Sequence, residues 1–358
     1  MNYDILHFEA LGKEADHLKE ETEKAQAAGL LPRDYNYVIT PLNLQEYMEK
    51  NPDTVLPDIV TTKTHSKLPE AWLKEGGKKS VITRSAGYDH FEHLMDVANV
   101  TSLREYCVNA VAQTAIKFMY AACGYLNHYT SNTVTFERNK TVSFMELNEN
   151  RTATVFGVGK IGKRIYDLLV ANGLNAQAVD IRQDELSEVY GGSVNFVSKE
   201  HAVKNSDIII NAMNLTKIEG SKYYNVNYFS EDVLSEAKDG LIFINVTRGE
   251  IAPEAGLMKL YESGKIAGIG VDVFSGENGF SAILNKKSDE VSDNHKAALK
   301  MLDMAINRTG NIYVQPHQAF NSDVAAMSKA SETIKHMIAW HANEKVKFDS
   351  QLPYYSVN

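Results

Sequence analysis

Short extended runs alternate with amphipathic helical stretches along most of the chain. Three such runs lie in the first third and four lie further on, at 36–40, 58–62, 80–84, 207–211, 241–246, 265–274 and 311–314. Alternation of strands with helices is typical of α/β folds with parallel sheets. The pattern therefore predicts a doubly wound parallel sheet in the second part of the chain and a smaller α/β unit in residues 1–107.

Longer helical stretches connect these runs. Residues 109–124 predict an apolar helix that crosses from the first unit into the second and could act as a hinge. Residues 252–263 predict a helix that starts near Pro253 and stops before Gly264, in agreement with the usual places of these two residue types.

The last stretch, from residue 324 onward, predicts an amphipathic helix that packs back on the first unit. The predicted domains are therefore 1–107 together with 325–358, and 108–324. A polar run at 285–296, NKKSDEVSDNHK, predicts a loop or surface helix outside the core.

Residues 152–180 read as strand, glycine turn, helix and strand. Gly157, Gly159 and Gly162 form G-x-G-x-x-G between the first strand and the helix, and Asp180 ends the second strand. In this context the glycines allow a tight turn, close approach of a pyrophosphate and close helix packing, and the acid about 20 residues on is placed for a ribose diol. We interpret the stretch as a dinucleotide site; an ordinary βαβ turn is the alternative.

Length and composition narrow the possible roles. A chain of 358 residues suggests two domains, and 44% hydrophobic with 23% charged residues is typical of a globular protein. The net charge of -9, without a basic stretch, argues against nucleic-acid binding. The charged N-terminal sequence and the absence of an apolar run of ~18 residues lead us to expect a cytoplasmic protein. Cys107 and Cys123 have no metal-ligand spacing, and Cys107 is expected to be a buried thiol.

Polar residues follow three of the later strands. Arg248, Glu277 and His317 come just after the runs at 241–246, 265–274 and 311–314. Ligands of open parallel sheets bind beyond the carboxyl ends of the strands, so these three side chains could converge on one site. Taken singly, each also has a simpler interpretation, as a surface ion pair, a solvated acid and a structural histidine.

The sequence resembles the D-2-hydroxyacid dehydrogenase family, and particularly its D-lactate dehydrogenase-like members. The matching stretches are TRSAGYDH at 83–90, NAVAQTAI at 109–116, GVGKIG with Asp180, INVTRGE, GVDVFSGE and PHQAF. The resemblance implies an NAD-binding Rossmann domain over 108–324 and a smaller flavodoxin-like α/β catalytic domain for the substrate. It also implies a homodimer that converts 2-oxo acids and D-2-hydroxy acids, with no metal.

The resemblance gives the three polar residues joint roles. Arg248 becomes the clamp for the substrate carboxylate and carbonyl, a task that suits its planar fork. His317 becomes the general acid for reduction and the base for oxidation. Glu277 is expected to orient the imidazole and to favour its protonated form.

Further residues are assigned by the same resemblance. The N–H groups of Ala86 and Gly87 match the turn that receives the substrate carboxylate, and Tyr106 matches a tyrosine that contacts substrate. Asp272 matches the residue that holds the nicotinamide amide. The implied cofactor residues are Gly157, Gly159, Lys160, Ile161, Gly162, Asp180, Thr247 and Asp272.

The sequence departs from the family pattern in several places. Tyr106 lies in REYCVNAV instead of a Tyr-Ser-Pro run, and residues 212–214 replace His-x-Pro. Insertions fall at 217–227 and 281–297. Lys63 and His65 occupy a segment where family members contact the substrate side chain, which indicates an acidic or polar substrate; a solvated loop is the alternative.

Other histidines and tyrosines are interpreted as structural. His90 and His93 could mimic a metal pair, but a helix surface explains them. His336 and His341 are placed on the exposed side or shoulder of the final helix, and the tyrosines at 223–224 in loop packing.

Two alternative functions remain at this point. The same fold serves a nucleotide-sensing corepressor, although no long disordered tail of the kind that such proteins often carry is visible here. A related scaffold oxidises formate or phosphite. Formate enzymes pair the histidine with Gln, and Glu277 therefore favours the hydroxyacid branch.

Overall fold

The computed structural model of the chain describes residues 3–138 and 142–355. These residues divide into two units. The first holds the described residues of Met1–Cys107, Ile218–Lys222 and Asn321–Asn358, and the second holds those of Val108–Lys217 and Tyr223–Phe320. Residues 1–2, 139–141 and 356–358, which the predicted domain ranges include, lie outside the described part.

The first unit is built on a five-stranded parallel sheet of order β2-β1-β3-β4-β5. Its strands are β1 Ile5–His7, β2 Tyr37–Ile39, β3 Ile59–Thr62, β4 Lys79–Thr83 and β5 Ala98–Ser102. Its helices are α1 Lys13–Ala27, α2 Leu44–Lys50, α3 Glu70–Lys74 and α13 Ala325–Ala342. The order is that of a flavodoxin-like sheet, as predicted.

Both faces of this sheet are covered, which explains why most of its strand residues are buried. Neighbouring residues of a strand point to opposite faces, so Ile5 packs in one core and Leu6 in the other. The helix α13 lies on the first face, where its Trp340 is buried and donates from Nε1 to Ser80 Oγ at 2.9 Å. The prediction that the final helix packs on the first unit is therefore confirmed.

The second unit contains a six-stranded parallel sheet of order β11-β10-β9-β8-β6-β7. The strands are β6 Thr152–Phe156, β7 Asn175–Val179, β8 Ile208–Asn211, β9 Leu241–Asn245, β10 Ile266–Val271 and β11 Ile312–Val314. The helices are α4 Val108–Cys123, α5 Leu126–Asn132, α6 Lys160–Ala171, α7 Gln183–Val189, α8 Lys199–Asn205, α9 Glu231–Ser235, α10 Glu254–Glu262, α11 Glu277–Leu284 and α12 Asp293–Ile306. The predicted doubly wound parallel sheet is confirmed.

The helix α4 packs closely on strand β10. A Cβ added to Gly270 would come 2.6 Å from Phe118 Cβ, and one added to Gly268 would come 3.1 Å from Ala122 Cβ. Glycines in this strand therefore let the apolar helix approach the sheet. The predicted role of this helix as a hinge stays a prediction.

The polar run at 285–296 lies outside the core as a loop that leads into a helix, as predicted. Its last residues form the first turn of α12, with Ser292 Oγ accepting from the His295 N–H at 3.1 Å. That helix is more than a surface appendage, because Ala298 and Met301 are buried in the core of the second unit. Among the described residues, no helix is long and apolar enough to cross a bilayer.

Candidate active site

The glycine turn after β6 has the shape that the sequence predicts. Gly157 has φ 83°, and a Cβ there would come 2.7 Å from Met213 Cα. A Cβ on Gly162 would lie 1.8 Å from the Gly157 carbonyl oxygen, so only glycine fits at this position in the first turn of α6. A Cβ on Gly159, which precedes α6, would meet nothing within 4 Å. The turn therefore leaves open space at a helix N-terminus, where a pyrophosphate fits.

Asp180 is tied to this turn. Its Oδ2 accepts from the Val158 N–H at 2.8 Å, and its Oδ1 accepts from the Arg182 N–H at 2.9 Å. The guanidinium of Arg182 also reaches Glu185 at 3.2 Å. The carboxylate thus stands beside the glycine turn, at the carboxyl end of β7, where a ribose diol is expected.

The remaining predicted cofactor residues lie at the same edge of this sheet. Lys160 is exposed and Ile161 half-buried in the first turn of α6. Thr247 follows β9, and its Oγ1 accepts from Asn211 Nδ2 at 2.8 Å. The roles of these residues toward the cofactor stay predictions.

Two buried asparagines, which the sequence interpretation missed, hold the Arg248 loop. Asn211 Nδ2 donates to Asn245 Oδ1 at 3.0 Å, and Asn245 Nδ2 donates to the Arg248 carbonyl at 2.9 Å. The Asn245 Oδ1 also accepts from the Thr247 N–H at 3.2 Å. The only sequence signal was a polar residue at the end of each of two apolar strands, DIIIN and LIFIN.

The Arg248 and Glu277 segments lie against each other. A Cβ on Gly249 would come 2.1 Å from both Phe274 C and Ser275 N, so the loop after β9 touches the backbone after β10. Glu277 opens α11 and accepts from the Phe274 N–H at 3.3 Å. The positive charge of Arg248 contributes to lowering the pKa of Glu277.

His317 pairs with Glu277. The distance from Nδ1 to Oε2 is 2.8 Å, and both side chains remain more than a third exposed, at 38% and 37%. An ionised carboxylate only accepts hydrogen bonds, so Nδ1 carries the hydrogen. The other ring nitrogen, Nε2, is therefore the one that can exchange a proton with a ligand.

The ionisation of Glu277 fits this pairing. Burial by itself raises the pKa of this carboxyl, but the hydrogen bond and charge of His317, the Phe274 N–H and Arg248 together hold the pKa below its ordinary value. Glu277 is therefore the charged partner of the pair over the working pH range of most enzymes.

Asp272 holds the loop that carries His317. Its Oδ1 accepts from Gln318 N at 2.9 Å, its Oδ2 accepts from Ala319 N at 2.9 Å, and its carbonyl accepts from His317 N at 2.6 Å. His317 has φ 52°, a left-handed conformation that costs a histidine on the order of 1 kcal/mol. Burial raises the pKa of Asp272, which is fully buried, although the donors Ala319 and Gln318 oppose that shift.

The predicted substrate residues Ala86, Gly87 and Tyr106 belong to the first unit. Ala86 and Gly87 follow β4, in a turn where Ser85 Oγ donates to the Gly87 carbonyl at 2.7 Å. Tyr106 follows β5, and its N–H donates to Glu332 Oε2 at 2.9 Å. Burial raises the pKa of Tyr106 well above 10. Their roles toward a substrate stay predictions.

Lys63 is not part of a solvated loop. Its Nζ lies 2.6 Å from Glu14 Oε2, and its side chain is only 22% exposed. His65 is largely exposed, with Nδ1 at 3.3 Å from Glu9 Oε2. The alternative of a solvated loop is therefore wrong for Lys63, because the buried Glu14 draws the ammonium inward.

The structure contradicts the interpretation of His90 and confirms that of Cys107. His90 does not lie on a helix surface: it precedes the short helix at Glu92–Leu94, and its Nε2 lies 2.9 Å from Thr83 Oγ1. Cys107 is buried as expected, and burial raises the pKa of its thiol to about 12. In the described part of the chain, no three His, Cys, Asp or Glu side chains group as metal ligands.

Comparison with known proteins assigns the family. The model of the D-isomer specific 2-hydroxyacid dehydrogenase NAD binding domain matches residues 116–319, more than half of the chain. The chain belongs to the D-isomer specific 2-hydroxyacid dehydrogenase family. NAD is the cofactor of this family, and the cradle of Gly157 and Gly162 fits a dinucleotide. The predicted enzyme class, an NAD-dependent oxidoreductase, is thereby confirmed.

Proteins similar to this chain include a 2-oxoacid reductase and D-lactate dehydrogenases. An aromatic 2-oxoacid reductase of Clostridium sporogenes is 26% identical over 278 residues, 74% of this chain and 76% of that protein. A D-lactate dehydrogenase of Lactiplantibacillus plantarum is 23% identical over 284 residues, 77% of this chain and 81% of that protein. The solved D-lactate dehydrogenase of Aquifex aeolicus, complexed with NAD and lactic acid, matches with TM-score 0.75 and 22% identity over 96% of this chain and 98% of that chain. That last likeness confirms the fold.

Proposed function

We propose that this dehydrogenase interconverts short 2-oxo acids and D-2-hydroxy acids with NAD. The observation that carries the proposal is the His317–Glu277 pair, 2.8 Å apart, beside the loop that presents Arg248. A general acid, a charged partner that fixes its tautomer and a guanidinium are the groups that reduction of a 2-oxo acid needs.

Each group has a separate task. His317 Nε2 gives a proton to the carbonyl oxygen during reduction and takes it back during oxidation. Arg248 binds the substrate carboxylate and stabilises negative charge on the carbonyl oxygen. Ala86 and Gly87 donate backbone N–H groups to the carboxylate. Bound NAD supplies or accepts the hydride.

Residues 1–107 and 325–358, which make up most of the first unit, are proposed as the substrate domain. Residues 108–324 are proposed as the full extent of the NAD-binding domain, around the family match at 116–319. A cytoplasmic location and the absence of a nucleic-acid partner stay predictions from the sequence.

The test is NADH oxidation with a panel of 2-oxo acids that includes pyruvate and phenylpyruvate. We expect turnover with at least one acid and formation of the D-hydroxy product. Tight NADH binding without turnover on any acid would instead favour the corepressor alternative. Reduction of NAD by formate or phosphite, without 2-oxo acid reduction, would favour the formate and phosphite branch.

NADH is expected to be preferred over NADPH. The carboxylate of Asp180 accepts hydrogen bonds from a ribose diol and repels a 2′-phosphate. Arg182 opposes this preference, but its guanidinium already interacts with Glu185 and lies 3.9 Å from Asp180. The measurement is kcat/KM with both cofactors in wild type and Asp180→Ala, with Asp184→Ala as the control. If wild type has a kcat/KM with NADPH equal to or higher than that with NADH, Asp180 does not select the ribose diol.

We propose that the chain forms a homodimer through the second unit. Large apolar side chains are exposed on α5 and the segment after it, among them Leu126 at 56%, Val134 at 89% and Phe136 at 72%. Large apolar side chains that are exposed along one segment are candidates for a contact between proteins. Sedimentation equilibrium should give a dimer for wild type and for the control Val346→Asp, and a shift to monomer for Phe136→Asp. A monomeric wild type would contradict the proposal.

A further inference from the structure

A cluster of charges lies in the first unit. We call it the Glu14 cluster: Glu14 on α1, Lys63 after β3, Arg84 after β4 and Lys329 on α13. Glu14 Oε1 accepts from Arg84 Nε at 2.9 Å, and its Oε2 lies 2.6 Å from Lys63 Nζ and 3.8 Å from Lys329 Nζ. Three cations therefore surround one carboxylate.

Two other carboxylates of the first unit, Glu332 and Glu9, have their own donors. Glu332, one turn further along α13, accepts backbone N–H groups of Arg104, Glu105 and Tyr106 at 2.7–3.1 Å. Glu9 accepts from Thr62 Oγ1 at 2.7 Å and from Ser66 N at 2.9 Å. Lys63, Arg84 and Lys329 therefore share Glu14 as an ion-pair partner.

Burial makes the charges of this cluster costly. Arg84 is fully buried, and Glu14 and Lys329 are 6% exposed each. Burial lowers the pKa of Lys329 to about 8; Glu14 opposes the shift, whereas Lys63 and Arg84 add to it. Cationic groups that are removed from water gain more from a further anion than exposed ones do. The side chain of Lys63, at 22% exposure, links the cluster to solvent.

The cluster also lies where ligands of such sheets bind. In the first unit the strand order reverses between β1 and β3, and ligands of open α/β sheets bind beyond the carboxyl ends at that point. Lys63 follows β3 there, and the Ala86–Gly87 turn follows the neighbouring strand β4. The ammonium of Lys329 lies 4.9 Å from the ring of Tyr106, the predicted substrate-contacting tyrosine.

We propose that the Glu14 cluster binds the second carboxylate of the substrate, so that the substrates of this enzyme are 2-oxo dicarboxylic acids. The proposal rests on the proposed function, because it assigns a place to the remote end of the same 2-oxo acid. Lys63 and Lys329 donate to the remote carboxylate. Arg84 stays with Glu14, Thr61 Oγ1 and the Phe8 carbonyl and fixes the cluster in the fold.

The experiment compares substrates within each enzyme variant. kcat/KM is measured with NADH for oxaloacetate, 2-oxoglutarate and 2-oxoadipate, and for the monocarboxylates pyruvate, 2-oxobutyrate and phenylpyruvate. We expect the best dicarboxylate to exceed the best monocarboxylate in wild type. The ratio of the two should fall at least about tenfold in Lys63→Met and in Lys329→Met, because each variant loses a charge-assisted contact.

The control variants make the same Lys-to-Met substitution on the same loop and the same helix, but at exposed positions. Lys67→Met and Lys335→Met remove exposed lysines from the same loop and the same helix, and should leave the ratio unchanged. Lys63→Arg keeps the charge and should retain most of the ratio. If Lys329→Met does not fold, as judged by its thermal unfolding, the Lys63 pair of variants decides the question.

The ratio should also depend on pH in wild type. Groups that serve both substrates, His317 among them, cancel in the ratio, whereas the charge of Lys329 acts only on the dicarboxylate. Since burial lowers the pKa of Lys329 to about 8, its charge is present below that pH and lost above it. The ratio should therefore fall as pH rises through about 8, and this fall should be absent in Lys329→Met. The groups that face Lys329 are Glu14, Lys63, Arg84, Tyr106, Cys107 and Glu332.

The outcomes separate this inference from the proposed function. Reduction of monocarboxylates in preference to all dicarboxylates, or an equal loss on both classes in Lys63→Met, would overturn the inference and leave the proposed function standing. Such a result would mean that the cluster only ties α1 and α13 to the sheet. No turnover on any 2-oxo acid would overturn both.

Discussion

Replacing His317 with Ala is expected to reduce kcat/KM for 2-oxo acid reduction by about 100-fold or more. The imidazole is the acid that the geometry presents, since its Nδ1 donates to Glu277 and its Nε2 is left for a ligand. The measurement is NADH oxidation with the best acid of the panel, and NADH binding should be little changed. His93→Ala, which alters an exposed histidine of the first unit, is the control.

The pH profile identifies the group more specifically. Reduction needs the protonated imidazole and oxidation the neutral one, so the two directions should share one limb with opposite slopes. The Glu277 carboxylate carries its negative charge 2.8 Å from Nδ1 of the His317 ring. Glu277→Gln removes this charge and nearly keeps the shape, so the reductive limb should move to lower pH. An unchanged limb in Glu277→Gln, or full activity in His317→Ala, would mean that another group donates the proton.

The strands that the sequence did not reveal are short or polar. β1 has only three residues, and β5 reads ANVTS, in which the apolar signal is weak. The polar side chains of β5 have partners near the C-terminus: Asn99 Nδ2 donates to the Val346 carbonyl at 2.7 Å, and Thr101 Oγ1 to the Ser350 carbonyl at 2.8 Å. Strand propensity depends on such neighbours, and a single-sequence pattern does not contain them.

In the candidate site, the sequence pattern predicts which residues meet but not the hydrogen bonds that orient them. Arg248, Glu277 and His317 each follow a recognisable strand, so the parallel sheet by itself predicts that they share an edge. The hydrogen bonds that orient them involve Asn245 and Asp272, whose functions depend on loops that only the fold brings together. A spacing in the sequence indicates which residues reach an edge, but not which polar groups hold them there.

The Glu14 cluster lies furthest from what a sequence pattern can predict. Lys329 is separated from Glu14 by most of the chain, and on its own helix it occupies a buried position where an apolar residue is the usual choice. In the sequence pattern of an amphipathic helix, nothing distinguishes Lys329 from an exposed lysine. Its buried position and its neighbours distinguish it from the exposed Lys335 of the same helix.

Arg248→Lys is expected to lose most of its activity although the positive charge is kept. A lysine cannot reproduce a bidentate fork on the carboxylate and carbonyl, and loss of one such contact costs about 2 to 4 kcal/mol, or about 30- to 900-fold in kcat/KM. The backbone of the loop should stay in place, because Asn245 donates to the carbonyl of residue 248 and not to its side chain.

The test of Arg248 uses two further variants. Arg33→Lys changes an exposed arginine of the first unit and should retain wild-type kinetics. Arg248→Ala should lose at least as much activity as Arg248→Lys, and added guanidinium ion should restore part of it, since the ion can occupy the vacated place of the fork. Near wild-type turnover in Arg248→Lys would place the guanidinium outside the reacting centre. A different result would assign Arg248 to the stability of its loop. In that case Arg248→Ala would lose activity, guanidinium would not restore it, and the melting temperature would be lowered. A free guanidinium ion cannot replace a side chain whose role is only to stabilise the fold.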